Sequence, residues 1–204
     1  MIDGYNKLYG DWEKRWKNSQ EKEQLSLLGR RMFKSKIKSM AEIISDIPVQ
    51  TVIEVGCGLG YTLDFYCRRG FDCIGIDIAE NAVACCKNKG LPVIREDLEN
   101  IDEKYDLVSS DGMLEHFMDF QPYARHLMRI SRNYVLLIQP NHDSFVGKTL
   151  VYLSELIKGD KNVFEYNFRI NDFITVFSRN GFDVVKNIPV FQDVFRILLF
   201  QKRR

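Results

Sequence analysis

Thr51-Val52-Ile53-Glu54-Val55-Gly56-Cys57-Gly58-Leu59-Gly60 changes the character of the chain within ten residues. Its first half is a short β-branched run, the composition of a buried strand. Its second half places glycine at every other position, and a helical segment follows from Tyr61 to Arg69. Glycine is required where the backbone turns tightly and must approach a ligand with no Cβ in between. In open α/β sheets ligands bind at this place, beyond the C-terminal end of the first strand, although a plain strand-to-helix connection would also use such a turn. Asp77 favours the ligand. It lies 21 residues after Gly56, at the end of the strand Cys73-Ile74-Gly75-Ile76-Asp77. A carboxylate there can accept hydrogen bonds from both hydroxyls of a ribose. The spacing excludes a dinucleotide fingerprint, because the third glycine comes early, at Gly60, and position 61 is Tyr61. No Gly-Lys-Ser/Thr follows, so it is not a P-loop either.

Outward from this loop, strands and helices alternate. Strands are expected over Phe71–Asp77, Pro92–Arg95, Tyr105–Ser110 and Tyr134–Ile138, with helices over Glu80–Lys89 and Tyr123–Ser131. Such alternation predicts a parallel sheet with helices on both faces. After Pro140 the pattern loosens into two amphipathic helices, Phe145–Lys158 and Asn171–Asn180, the second capped by Asn171 or Asp172. The strand-like runs Gly181–Lys186 and Val194–Phe200 are joined by a loop near Pro189 to Asp193, too short for a crossover. They are expected to close the sheet as an antiparallel hairpin. Upstream, residues 5–47 carry a loose apolar stripe through Trp12, Trp16, Leu25, Leu28, Met32, Ile37, Met40, Ile43 and Ile44, interrupted at Gly29 and ended by Pro48. The expected organisation is an N-terminal helical lid over 1–47 on a domain over 48–204.

A chain of 204 residues with 45% hydrophobic and 28% charged residues is an ordinary globular one, long enough to bury a core without staples. Lys and Arg number 29 against 28 Asp and Glu, for a net charge of +1, which argues against wrapping nucleic acid over most of the surface. Charge is unevenly spread: residues 1–40 hold ten Lys/Arg against five Asp/Glu. The five cysteines (57, 67, 73, 85, 86) include no C-x-x-C pair, and an odd count points to a reducing interior rather than a disulfide scaffold. Cys85-Cys86 is expected on a helix, half-buried. With no histidine at ligand spacing beside it, no metal is expected. The N-terminus lacks an apolar signal core and the longest apolar runs are too short to cross a bilayer, so a cytoplasmic protein is expected.

Taken in order, these segments resemble the class I S-adenosylmethionine-dependent methyltransferases, in their small-molecule, type 11/12-like branch. Val52 to Gly60 looks like the family's first motif, and Gly75-Ile76-Asp77-Ile78 like its second-strand acid. Glu96-Asp97-Leu98 looks like the adenine-contacting acid, and Tyr105 to Phe117 like the fourth-strand segment. The resemblance covers residues 48–140 by motif and the remainder by architecture. It implies a doubly wound, Rossmann-like, mostly parallel seven-stranded sheet with an antiparallel C-terminal hairpin. It also implies S-adenosylmethionine as cofactor. Gly56 and Gly58 would let the backbone pass against its methionine and ribose, and Glu54 would orient the loop and attract the ammonium. Asp77 would hold the ribose hydroxyls, with Ile78 packed on the adenine. Asp97 would accept the adenine amino group, the Leu98 amide would donate to a ring nitrogen, and the Ser110 carbonyl would meet the ammonium.

A sulfonium carries its own leaving group, so methyl transfer needs no metal, and alignment in a dry site can supply much of the rate. A hydroxyl or carbon nucleophile can additionally require a general base. His116, after the fourth strand, and His142, in Gln139-Pro140-Asn141-His142-Asp143 after the fifth, are the candidates. The acceptor is expected to be a small molecule. The basic N-terminal segment would suit one bearing phosphate or carboxylate, although a solvated helix face would carry the same charges. Ser110-Asp111-Gly112 stands where amino-methylating nucleic-acid and glutamine enzymes carry Asn/Asp-Pro-Pro-Tyr/Phe, which counts against base methylation. Two other readings stay open: an RNA-directed methyltransferase gripping phosphates with the head and Lys202-Arg203-Arg204, and a non-catalytic methyltransferase-like subunit. Steep salt dependence of RNA binding would mark the first, and a degraded cofactor site the second.

Overall fold

The computed structural model describes residues 10–14, 16–17, 27–144 and 165–204. Seven strands, β1 (Thr51–Val55), β2 (Asp72–Asp77), β3 (Val93–Arg95), β4 (Tyr105–Asp111), β5 (Ser131–Pro140), β6 (Phe182–Val190) and β7 (Phe195–Lys202), form one sheet. Their order is β3-β2-β1-β4-β5-β7-β6. The first five strands pair in parallel, and β7 inserts antiparallel between β5 and β6. The chain winds outward in opposite directions from the β1–β4 pair, so the connections leaving those two strands diverge. Between them lies the crevice at which open α/β sheets receive ligands.

Side-chain alternation assigns each face of the sheet its own core. On β5, Val135 and Leu137 face one way with Leu198 and Phe200 of β7, and Leu136 and Ile138 face the other with Ile197 and Leu199. The first face is covered by α4 (Gln121–Ile130) and α5 (Ile170–Arg179), through Ala124, Leu127, Phe173 and Phe177. The second is covered by α1 (Leu27–Ser45) and α2 (Tyr61–Arg68), through Met40, Ile43, Ile44, Phe65 and Tyr66. A smaller cluster of Cys57, Leu63, Val83, Cys86 and Leu91 seats α3 (Glu80–Asn88) beside the glycine loop.

The strands and the closing hairpin agree with the sequence reading, and several details do not. Gly29 lies inside α1, because the helix is held by Met40, Ile43 and Ile44 packing on β6 and β7 rather than by local propensity. Helix α5 begins at Ile170 with Arg169 as its cap; Asn171 and Asp172 are inside it. From the third helical position the Asp172 carboxylate accepts the Arg169 backbone N–H at 2.8 Å, satisfying a donor that a helix terminus leaves open. β6 runs through Pro189, which an edge strand tolerates because no neighbour needs its missing N–H. The turn after it holds Phe191, Gln192 and Asp193 at φ of 49°, 55° and 67°, left-handed values that cost non-glycine residues energy. Arg196 pins the turn, donating to Asp193 at 2.9 Å. Cys67 and Cys73, expected as free thiols, are joined in a disulfide with Cα atoms 6.1 Å apart; the end of α2 returns to the start of β2 in six residues, which brings them together. The helix expected over Phe145–Lys158 lies outside the described residues, as does Leu25 of the N-terminal stripe. No helix among the described residues is long and apolar enough to cross a membrane.

Candidate active site

The loop after β1 is tied to β2: the Gly56 and Cys57 N–H groups both donate to the Ile76 carbonyl, at 2.9 and 3.0 Å. Two of its glycines are sterically required. A Cβ on Gly58, where φ is +52°, would stand 2.8 Å from the Trp16 ring. A Cβ on Gly60, where φ is +78°, would stand 2.7 Å from the Cys86 sulfur and 2.6 Å from Leu91. Cys85 and Cys86 are buried on α3, and the Cys86 thiol donates to the Gly58 carbonyl at 3.2 Å, bracing the loop from below. Three glycines in five residues thus let the backbone lie between α3 and the Trp16 ring.

Asp77 ends β2 beside this loop, 7% exposed. Its carboxylate accepts the Gly58 N–H at 2.8 Å and the Ala79 N–H at 2.9 Å. Burial pushes its pKa up, against those two donors, which pull it down. Ile78, half-buried, follows it, and its carbonyl accepts Arg95 Nε at 3.0 Å. Asp97 and buried Leu98 follow β3 on the same rim of the sheet, where the Asp97 carboxylate caps a short 3-10 turn through the Glu99 N–H at 3.1 Å. The expected glycine-loop, ribose and adenine residues therefore stand at the C-terminal ends of three adjacent strands.

Glu54 and Ser110 belong to the β1–β4 side of the crevice. Ser110 is buried and donates its hydroxyl to the Val55 carbonyl at 3.0 Å. Glu54 is 1% exposed, bonded to Ser109, whose hydroxyl also receives the Tyr66 O–H at 2.8 Å. Its Oε2 has no partner. Burial pushes its pKa up to about 8, outweighing the Ser109 bond. Next to it is a set of groups that sequence spacing did not reveal. Lys36 of α1 grips both oxygens of Asp111 at 2.8 and 2.7 Å, and Thr62 donates to Asp111 at 3.0 Å. These residues are separated by up to 75 positions, so no local pattern could have assembled them. Met113 was missed as well; its side chain would lie 3.3 Å from a Cβ on Gly56.

The N-terminal residues close over this rim. The rings of Trp12 and Trp16 stack with centroids 5.6 Å apart, and the edge of Trp12 meets His116 at 4.8 Å. The Glu13 carboxylate accepts the backbone N–H groups of Glu80 and Asn81 and the Asn81 amide at 2.7 Å. It thereby caps α3, whose own cap residue, Ala79, offers no side-chain acceptor. His116 is buried under Trp12, which suits a wall of the site. His142 is half-buried with Nε2 unpartnered, and burial lowers its pKa despite the nearby Glu165 and Asp143 carboxylates. It is therefore neutral and able to accept a proton at pH 7. A cleft of about 260 Å³ opens beside it, lined by Asn141, Asp143, Ser144, Asn171 and Arg196 among others.

The model of a family described as "Methyltransferase domain" matches residues 18–187. No curated protein matches the chain. Among solved structures, the chain is similar to the magnesium protoporphyrin IX methyltransferase of Synechocystis PCC 6803 with bound SAH. The identity is 19%, with 88% of this chain and 89% of that one covered and a TM-score of 0.70. It is similar to a SAM-dependent methyltransferase of Thermotoga maritima, described as a possible histamine N-methyltransferase, at 17% identity over 96% and 100% of the two chains, with a TM-score of 0.72. An S-adenosylmethionine-dependent methyltransferase of Mesorhizobium loti matches at 16% identity over 79% and 96%, with a TM-score of 0.62. At these identities the likeness is one of fold.

Proposed function

The chain belongs to the methyltransferase-domain family, and on that premise we propose that it is an enzyme that transfers the methyl group of S-adenosylmethionine to a small-molecule acceptor. The observation that carries the proposal is the loop between Glu54 and Gly60, with its close-packed glycines and the Asp77 carboxylate beside them. The residues present fit the cofactor. Asp77 has the acceptor chemistry for two ribose hydroxyls, and Asp97 and the Leu98 amide for an adenine edge, with Ile78 beside them. The unpartnered Oε2 of buried Glu54 lacks a cationic or N–H partner, which an ammonium would supply, together with the Ser110 carbonyl. Gly56 and Gly58 keep side chains away from the methionine and ribose.

Bound there, S-adenosylmethionine supplies a methyl group already activated by its sulfonium. The chain's part is to align the acceptor and exclude water, for which Trp12, Trp16 and the buried His116 serve as the wall. In this reading the lid expected over 1–47 acts through Trp12, Glu13 and Trp16. An anionic acceptor has less to rest on, because Lys36, which reaches the site from the basic segment among the described residues, is occupied by Asp111. His142 is proposed as a proton acceptor. His142→Gln is expected to reduce kcat by about 10²-fold or more, the range of general base catalysis, with cofactor affinity intact. Unchanged turnover would remove it from the mechanism.

Trp12 and Trp16 are the only tryptophans in the chain, so tryptophan emission, excited where tyrosine does not absorb, reports on the lid alone. Titration with S-adenosylmethionine is expected to change tryptophan emission along the same saturation curve that calorimetry gives for binding. No heat at millimolar cofactor would sink the enzyme reading. Binding with unchanged emission would instead place the cofactor away from Trp16.

A further inference from the structure

Two buried polar side chains and a half-buried histidine on the β4–β5 side of the crevice have no use in holding the cofactor. Glu115 is 4% exposed, and its Oε2 has no partner. Gln139, at the end of β5, is 0% exposed, with neither its Nε2 nor its Oε1 bonded. His142 adds a fourth unpartnered atom, Nε2. Unsatisfied groups at such depth are expensive in a structural role and are retained where a ligand completes them.

The backbone brings them to one place. The Gly112 N–H donates to the Ile138 carbonyl at 3.0 Å, and the Glu115 carboxyl lies only 3.1 Å from where a Cβ on Gly112 would stand. Gln139 is the next residue after Ile138. Strand alternation puts its side chain on the face of Val135 and Leu137, the face on which Leu114 also packs. The Tyr166 N–H donates to the Glu115 carbonyl at 2.7 Å, drawing the segment from Glu165 alongside. The Glu165 carboxylate acts on both Glu115 and His142, raising the pKa of each. The charges that meet Glu115 are Glu165, Asp111 and Lys36, and those that meet His142 are Glu165 and Asp143. Lys36 is already matched by Asp111, so the region is acidic on balance. A cleft lined by Asn141, Asp143 and the Asp193–Arg196 ion pair flanks the His142 loop.

We propose that Glu115 and Gln139, with His142, form the acceptor pocket for a small amine, and that Glu115 takes up the proton its nitrogen loses. A phosphate or carboxylate would meet carboxylates on several sides there, whereas an ammonium would complete the unpartnered Glu115 oxygen. The Gln139 carbonyl offers a second acceptor for the remaining N–H. Glu115 holds its own proton in the empty pocket at neutral pH and gives it to solvent as the ammonium enters; the ammonium then passes a proton to the resulting Glu115 carboxylate and leaves the neutral amine. The nitrogen lone pair then forms the N–C bond to the methyl carbon of S-adenosylmethionine. The C–S bond breaks with its electron pair kept on sulfur, giving S-adenosylhomocysteine and an N-methylated ammonium. Glu115 is suited to this exchange because burial raises its pKa to about 8, nearer to that of an amine than an ordinary carboxyl.

This proposal rests on the methyltransferase reading, and its test separates the two. Three skeletons (linear aliphatic, phenyl and imidazolyl) would each be offered as primary amine, alcohol and carboxylate to the full chain, and binding measured by calorimetry in two buffers of different ionisation enthalpy. On at least one skeleton the amine is expected to bind about tenfold or more tighter than its isosteres, with a proton transferred between amine, protein and buffer. Glu115→Gln is expected to abolish that preference and the proton transfer while leaving S-adenosylmethionine affinity unchanged. With labelled cofactor the same amine is expected to be methylated. Tightest binding by an alcohol or carboxylate, no binding by any member, or a preference that survives Glu115→Gln overturns the amine pocket and leaves cofactor binding standing. The wild-type ranking decides by itself if the variant does not fold. Failure to bind S-adenosylmethionine is the separate result that removes the underlying reading.

Discussion

Asp77→Ala is expected to weaken S-adenosylmethionine binding by about 10- to 100-fold, the equivalent of about 1–3 kcal/mol for each buried hydrogen-bonding group left unmet. The loss has two sources. One is the acceptor proposed for the ribose. The other is internal, because the same carboxylate receives the Gly58 and Ala79 N–H groups and so sets the shape of the glycine loop and the entry to α3. Asp77→Asn separates them. An amide keeps one acceptor oxygen, so the loop is expected to be largely restored while ribose affinity recovers only in part. Calorimetric titration of both variants, with a thermal melt to record the loop's contribution to stability, makes the comparison. Wild-type affinity in Asp77→Ala would mean that the ribose is held elsewhere.

Stability is expected to fall as pH rises from about 6.5 to 8, opposite to the behaviour of a protein held by paired carboxylates. Glu54 and Glu115 release their protons near 4.5 in the unfolded chain and near 8 in the fold, because both are buried. Between those values the native state binds protons that the unfolded state has lost. The unfolding free energy then declines with pH, by on the order of 1 kcal/mol per pH unit per group. His142 works the other way below its ordinary 6.5, since burial lowers its pKa and folding there requires losing a proton. The window above 6.5 is therefore the clean one. Melts across it are expected to show Tm falling by several degrees, with Glu54→Gln and Glu115→Gln each flattening the slope. If Glu54 meets the cofactor's ammonium, saturating S-adenosylmethionine is expected to remove its share and leave that of Glu115. A flat profile in the free protein would show that both carboxyls ionise inside the fold.

The glycine loop, Asp77 and Asp97 were legible because each marks the end of a strand whose β-branched composition is a local signal. The antiparallel hairpin was legible because the linker between Lys186 and Val194 is too short to cross over. Lys36, Thr62 and Asp111 were not, nor was the capping of α3 by Glu13, 67 residues before it. Glu115 stood in plain view inside a recognised motif, flanking the histidine that drew attention. Burial alone distinguishes it, and burial is a property of the packed chain.

The amino-acid sequence by itself determined the strand order's starting point and the residues on the β1–β3 rim, since these depend on spacing within single strand–turn–helix units, and its resemblance to a known family supplied the cofactor class. Charge near the acceptor was decided by tertiary structure. The basic residues of the N-terminal forty suggested an anion, yet folding carries Lys36 to Asp111 and leaves Glu115 and Gln139 buried without partners. A charge count is additive along a chain, whereas the field at a site depends on which charges neutralise one another and which are stripped of water.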